Sequence, residues 1–534
     1  ERPLSWYSPQ YRSAGGIRAL QFDKDDAEWL GLIKLDLLAL RSLSALEEAV
    51  EEVWRMDGVR PDIWNLPEDD AVWELIRSGD TLSLFQIESP GQMQLSTVLQ
   101  PGSMQELADQ EALHRPGPIQ SGSKRPYVQR KLGREPVTFP HRALEPILGK
   151  TYGVVIYQEQ VVRIARHVAG MSWPEADRFR KKVQKADDDE AGQLRSSFIA
   201  GVLRTLPDAT REQAAEIFGL CSAFTGFGFA ESHSASFARI TYATAWLLLH
   251  HPAEWFAAFF TVHPGMWPRQ TLRMACRRRG IRVLGVDINV SGAAFRTERL
   301  PGGGKGIRMA LTAVKGVTKG RARDIRWEGS LRPYRSAADF LNRVSVPEDT
   351  MESLVRAGAF AGVQERRQAL HDVWALSGAV RAGQSPLFGP QLERPYLKPV
   401  SGRERHAWDV ELAGMSSSPL HPLDYVRPEL RELGVKPLGL VGSGPVRTAG
   451  LVVGVQKPPT AGGTAFVMLE DGEQLAQLIV SPELWQQGYR LLRDSRLLLV
   501  EGTARRAGLQ LSISAAALRG FSSDCAVVHK CAPW

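Results

Sequence analysis

Apolar and polar positions change their rhythm several times along the chain. Over residues 23–113 the apolar positions recur at helical spacing in short blocks, as at Leu43, Leu46 and Val50 within 42–53, which predicts short helices. Pro and Gly then punctuate residues 115–133 (RPGPIQSGSKRPYVQRKLG), the pattern of a loop crossing into a new subdomain. Residues 152–157 (YGVVIY) read as a short strand. A helix follows from Gln158, with Val161, Ile164, Ala165 and Val168 on one stripe and Gly170 at its end. Ser172 and Glu175 have capping-box spacing and open another helix. On that helix Arg178, Lys181 and Lys185 fall at i, i+3 and i+7, so three cations share a face. Residues 212–262 are helical again, split by the Gly- and Phe-rich turn at 225–236 (TGFGFAESHSAS). A strand-like stretch at 281–286 and short helices over 308–378 follow.

Residues 380–403 are rich in Pro and Gly with little apolar periodicity, as in a linker. Beyond them the chain turns to strands. Residues 448–456, 465–470, 474–481, 497–507 and 509–515 are rich in Val, Leu and Ile, and one helical segment, 482–493, lies between the third and fourth. That is the element order of an OB-fold barrel, a common single-strand binder, although another small β-barrel fits the same pattern. The fold class expected is multidomain α+β.

Composition adds bounds. The 534 residues correspond to about three or four domains, and 43% apolar with 23% charged is ordinary globular material. The longest apolar run near Trp246 covers 243–249, far short of the ~20 residues of a membrane span. Cys221, Cys276, Cys525 and Cys531 are too few for a disulfide scaffold and are not spaced as zinc pairs, so a reducing, cytoplasmic setting is expected. The net charge of +7 says little, but its distribution is polar: residues 23–111 hold 20 acidic and 6 basic residues, residues 115–185 hold 15 basic and 5 acidic. Such a chain sets an acidic region beside a surface suited to polyanions, although solvated helix faces produce the same blocks.

Within GLIKLDLLALRSL (31–43), Lys34 and Asp36 stand two apart among apolar neighbours. In a strand they point the same way. That places either a structural ion pair or a carboxylate for Mg²⁺ beside a lysine for a phosphate.

LIKLDLLALRSL, LFQIES (84–89), HRPGPIQSG (114–122), YGVVIYQEQV (152–161) and GFGFAESHSASFA (226–238) occur in series. Together they resemble the bacterial C-family DNA polymerases, the alpha subunit of DNA polymerase III. QFDKDDAEWLGLIKLDLLAL and HHPAEW (250–255) are closer to the error-prone branch, which copies damaged templates. The resemblance implies that Asp36 is the third metal-binding carboxylate of the palm and that Lys34 contacts a phosphate. It implies that the helix with Arg178, Arg180, Lys181 and Lys185 is the fingers helix that meets the incoming triphosphate, with Arg180 and Lys181 at the family's paired arginines. Arg115 and the loop after it would join that surface. Mg²⁺, primer–template DNA and dNTPs are implied with them, as are accessory proteins of the error-prone branch and a location at the nucleoid.

The implied organisation is a partial palm with thumb-proximal helices over 1–113, fingers over 114–265, and a fingers extension with a helix–hairpin–helix over 266–379. A linker over 380–440, an OB-fold over 441–520 and a tail over 521–534 complete it. In the family two further metal carboxylates lie upstream in a PDxDxDF-type motif, which this sequence does not contain. Asp23 and Asp25 have the spacing but the wrong place and are read as decoys. The Gly-Ser phosphate loop and the histidinol-phosphatase-like domain are missing as well. A two-metal site relies on several carboxylates, so the expectation is the carboxy-terminal half of an error-prone polymerase. The competing expectation is a non-catalytic DNA-binding chain that needs a separately encoded half.

LTAVKGVTKGRARDI (311–325) resembles a helix–hairpin–helix, with Gly316, Lys319 and Gly320 meeting a phosphate; a simple tight turn is the plainer reading. Gln384, Leu387 and Phe388 resemble the QxxLF peptides that dock on the sliding clamp, or else form an apolar patch anchoring the linker. His233 is expected to cap a helix start, and Gly302–Gly304 to form a hairpin or loop.

Overall fold

The computed structural model describes residues 2–13, 16–33, 35, 39–114, 122–183, 188–223, 229–381 and 395–521. Two compact units are present, residues 1–41 and 42–534.

In the first unit, β1 (Gln10–Arg12) pairs antiparallel with β2 (Arg18–Leu20). A short helix, Lys24–Trp29, follows. Asp23 caps it: Asp23 Oδ1 accepts from the N–H groups of Asp25 and Asp26, each at 2.9 Å, and Asp26 closes the capping box. The Asp-x-Asp spacing noted above is thus helix-start chemistry.

The second unit is built around the 20-residue helix Glu231–His250, buried on several sides through Phe237, Ile240, Tyr242, Leu247 and Leu248. A helix apolar around most of its circumference must be enclosed. Ser234 Oγ donates to the Ala108 carbonyl (2.5 Å) and Thr241 Oγ1 to Glu111 (2.7 Å), tying it to helix Met104–Leu113. Asp69, which caps helix Asp70–Ser78, donates its own N–H to Tyr242 Oη at 2.7 Å. Helix Pro252–Val262 continues the layer, and helix Arg41–Asp57 joins it to a three-stranded sheet. That sheet, of β3 (Arg282–Leu284), β4 (Arg296–Arg299) and β5 (Lys305–Arg308), has the order β3-β5-β4. Gly302, Gly303 and Gly304 all take positive φ in the β4–β5 hairpin. Buried Glu52 accepts from Arg55, Arg296 and the Thr297 N–H, and so joins the first helix of this unit to β4.

A second core gathers helices Gln158–His167, Trp173–Val183, Asp188–Thr205 and Arg211–Ala223. Phe179 stacks on Phe198 at 5.0 Å, and Phe218 meets both edge-on. YGVVIY does not form the expected strand. Tyr152 and Gly153 both take positive φ and break the extended run. The N–H groups of Ile156 and Tyr157 donate to Gln160 Oε1 at 2.9 and 3.0 Å instead of to a neighbouring strand. One bridge, Tyr157 to Phe229, remains.

The chain ends in a closed barrel of β6 (Gly444–Gln456), β7 (Ala465–Glu470), β8 (Leu475–Val480), β9 (Leu497–Ala507) and β10 (Gln510–Gly520), ordered β10-β8-β7-β6-β9. β8 and β10 pair in parallel and β9 closes on β10. Helix Pro482–Asp494 sits between the third and fourth barrel strands, so the barrel is OB-like. Val467, Leu469, Leu478, Val480, Leu498 and Ile513 fill it.

The segment expected to link the domains over 380–440 is folded from Gly402 onward. Helix Gly402–Ala413, capped by Ser401, and helix Arg427–Glu432 pack Ala407, Val426 and Leu430 against Ala449, Leu451 and Leu497 of the barrel. Within the first of these helices His406 and Asp409 are buried beside Ala407 and Val410.

His406 makes a pH test. Neither ring nitrogen has a hydrogen-bond partner, and burial, then the charge of Arg273, push its pKa from the ordinary 6.5 down to about 4. The unfolded chain takes up a proton below pH 6.5 that the folded chain refuses. Stability is therefore undiminished above pH 6.5 and falls as the pH drops to about 4, by roughly 3 kcal/mol from this one group. His406→Phe should remove that loss, so urea unfolding should show a gap between variant and parent that widens from pH 7 to 4. A constant gap would contradict it.

Candidate nucleic-acid interface

Helix Trp173–Val183 presents its cations because Ala176 and Phe179 commit one side to the core. At its start the Ser172 N–H and Oγ–H both donate to Glu175 Oε2, at 2.8 and 2.6 Å. Arg180 donates from Nε and Nη2 to Asp177 Oδ1 (3.2 and 2.9 Å) and from Nη1 to Gln158 Oε1 (3.2 Å). Lys181 Nζ meets Asp177 Oδ2 at 2.9 Å. One carboxylate thus holds two adjacent cations, and Lys181, then Arg180, keep it below the usual carboxylate range. Arg178 is exposed on the same helix. Lys34, Asp36, Arg115 and Lys185 lie outside the described residues, as do Gln384, Leu387 and Phe388.

Three supporting residues, Gln158, Asp109 and Asp177, were missed in the sequence. Gln158 orients Arg180 from a neighbouring helix. It follows Tyr157, whose hydroxyl donates to fully buried Asp109 at 2.5 Å, where Tyr127 also donates at 2.6 Å. Burial raises the Asp109 pKa against the pull of both tyrosines. Only Asp177 carried a local signal, its i+3 and i+4 spacing to Arg180 and Lys181.

Two further surfaces face outward. Gly316 turns the chain at φ +88°, where a Cβ would come within 2.6 Å of Thr350 Oγ1, so glycine is required there. Lys319 and Gly320 open helix Lys319–Leu331, capped by Thr318; an added Cβ at Gly320 would meet only Thr318 Oγ1 at 3.8 Å, an ordinary contact. At the barrel, a cavity of about 770 Å³ separates β8 and β10 from the helical body, with Arg278 and Arg505 at its exposed rim. A second, of about 460 Å³, continues past Phe466, Met468 and Gln477 to Trp267 and Arg269. Gln510 Nε2 reaches across to the Gly79 carbonyl at 3.1 Å.

Among the described residues no group of three His, Cys, Asp or Glu could hold a metal ion, and no helix is long and apolar enough to cross a membrane.

Residues 42–205 match the bacterial DNA polymerase III alpha subunit finger domain. Residues 280–370 match a helix–hairpin–helix motif behind it. The sequence is 35% identical to the error-prone DNA polymerase of Nocardia farcinica (strain IFM 10152), covering 98% of this chain and 47% of that protein. Identity is also 35% to the error-prone DNA polymerases of Mycolicibacterium paratuberculosis (96% of this chain, 47% of that protein) and Symbiobacterium thermophilum (97% and 52%). The chain spans about half the length of these curated relatives. The helix with Arg178, Arg180 and Lys181 lies inside the finger match.

Proposed function

We propose that this chain is the fingers and DNA-binding portion of an error-prone, translesion DNA polymerase, a transferase that adds dNTPs to a primer 3′ end. The observation that carries it is the Arg180–Lys181 pair, held side by side on a finger helix. A primer hydroxyl attacks the α-phosphate, and negative charge grows on the departing pyrophosphate. Fixed cations there stabilise that charge without reorganisation. By the same resemblance Lys34 would contact a phosphate, and Arg115 and Lys185 would belong to the nucleotide-binding cations.

Mg²⁺ is the metal this chemistry implies, with Asp36 as a ligand. A two-metal site needs several carboxylates. The Lys34–Asp36 motif supplies one, and the sequence contains no PDxDxDF-type motif to supply more.

Gly316, Lys319 and Gly320 would hold a backbone phosphate through the turn, and the barrel would hold single-stranded template. DNA binding should then be salt-sensitive, because each phosphate contact releases counterions: about 10³-fold or more between 50 and 200 mM salt for some six contacts. Fluorescence anisotropy with primer–template DNA measures this, and an affinity indifferent to salt would contradict it.

A sliding clamp would take Gln384, Leu387 and Phe388. Leu387→Ala with Phe388→Ala should then abolish retention on immobilised clamp, and unaltered retention would remove the motif. Accessory proteins of the error-prone branch and a cytoplasmic, nucleoid-associated location belong to the same reading. A second reading is a DNA-binding chain without catalysis of its own until a separately encoded half completes it. The helix–hairpin–helix match and the OB-like barrel favour it, since both serve DNA binding without the PDxDxDF motif.

A further inference from the structure

Strand alternation leaves part of the barrel's side chains on its outer surface. Along β7, Ala465, Val467 and Leu469 are buried inside, so Phe466 and Met468 project outward between them. On β8, Gln477 does the same between buried Ala476 and Leu478. A bulge shifts the β6 register between Val452 and Gly454, and Val453, the extra residue, lines the same cavity. Opposite them runs the 263–268 turn that leads into helix Arg269–Arg278. Trp267 Nε1 donates to the Glu88 carbonyl at 3.3 Å, and His263 Nε2 meets the Trp267 carbonyl at 3.1 Å, which fixes the turn. Between the two surfaces lies the cavity of about 460 Å³.

Among the described residues, the lining of this cavity holds one permanently charged side chain, Arg269, and no carboxylate. Buried charges are ordinarily paired. Arg269 is not: among the described residues its guanidinium has no hydrogen bond or ion pair, and its Nε is out of reach of solvent. Its ring contact is with Phe295, whose centre lies 5.9 Å away. Burial lowers its pKa and no carboxylate raises it, yet a guanidinium stays charged. Helix Gly402–Ala413 ends beside it, where a Cβ on Gly414 would stand 3.9 Å from Arg269 Nη1. A helix C-terminus offers roughly half a negative charge, so the cation lacks a full counter-charge.

We propose that this cavity binds a small apolar carboxylate, an acyl or aryl acid whose single negative charge meets Arg269 and whose body lies against Met266, Phe466 and Val453. The volume is within the range of small-molecule sites, about 300–1,000 Å³, which are mainly apolar with few polar groups and favour domain joints. A DNA strand is a poorer occupant, because its sugars and phosphates take several polar partners and this lining is mainly apolar. A bound acid touches barrel and helical body together and so stabilises their joint. The inference goes beyond the polymerase reading and does not depend on it.

The test uses the full chain and two fluorescent probes, cis-parinarate and its methyl ester. The parent should bind the acid about tenfold or more tighter than the ester, the gain expected of a charge-assisted contact. Arg269→Gln should erase that preference by weakening the acid alone, and Arg269→Lys should keep part of it. Gln477→Trp fills the cavity without changing charge and should weaken both probes. The acid should also raise the thermal unfolding midpoint of the parent more than that of Arg269→Gln. Equal affinity for acid and ester, or an acid affinity indifferent to Arg269→Gln, would overturn the proposal. Displacement of the acid by oligothymidylate would overturn it as well and give the cavity to the DNA strand. Triphosphate binding by Arg180→Ala is read separately, so failure of this inference leaves the polymerase reading standing.

Discussion

Arg180→Ala is expected to weaken binding of a labelled deoxynucleoside triphosphate by about 10–100-fold, because a charge-assisted contact to phosphate is worth roughly 1.5–3 kcal/mol. Asp177→Asn is expected to act in the opposite direction. In the free protein the Asp177 carboxylate accepts from Arg180 and Lys181 together, and it repels an approaching triphosphate. Partly exposed pairs of this kind are worth only about 0.2–1 kcal/mol, so freeing both cations and removing the repulsion should tighten binding by about 3–10-fold. Gln158→Ala should fall between, since it leaves the charge of Arg180 and removes only its anchor on the neighbouring helix. Titration of the three variants at one ionic strength gives the ranking. Equal affinity for Arg180→Ala and the parent would separate the Arg180–Lys181 pair from the nucleotide.

The barrel was legible in the sequence because its strands are rich in Val, Leu and Ile and enclose one helical segment in the order expected. The ranges expected for β7 and β9 match the structure residue for residue. The finger helix was legible through its capping spacing and its cations. What escaped has a physical reason in each case. YGVVIY is apolar enough for a strand, but Tyr152 and Gly153 adopt positive φ, and Gln160 satisfies the backbone N–H groups that a neighbouring strand would have taken. The helices of 402–432 bury polar residues such as His406 and Asp409 beside apolar ones, and Asp409 pairs with Arg366 at 2.6 Å. Within the candidate site, Arg180 and Lys181 stand out in sequence, whereas Gln158 and Asp109 act from other helices. Contacts that far apart along the chain leave no local periodicity to read.

The second large effect concerns primer extension. Two dications about 4 Å apart need several carboxylates to hold them, and this sequence contains the Lys34–Asp36 motif but no PDxDxDF-type motif. The 534-residue chain, given primer–template DNA, Mg²⁺ and all four dNTPs, should therefore leave the primer unextended. Supplying the part of a relative such as the Nocardia farcinica polymerase that this chain does not match should restore extension. Asp36→Ala should abolish the restored activity, a loss of at least 10³-fold if the carboxylate carries a metal whose charge stabilisation is worth several kcal/mol. DNA affinity should change little, because the contacts expected from the helix–hairpin–helix and barrel lie elsewhere. Gel-resolved extension by the complemented pair, with and without Asp36→Ala, is the most direct measurement. Restored extension that disappears with Asp36 is the predicted result; extension by this chain alone, or extension that survives Asp36→Ala, would contradict the account.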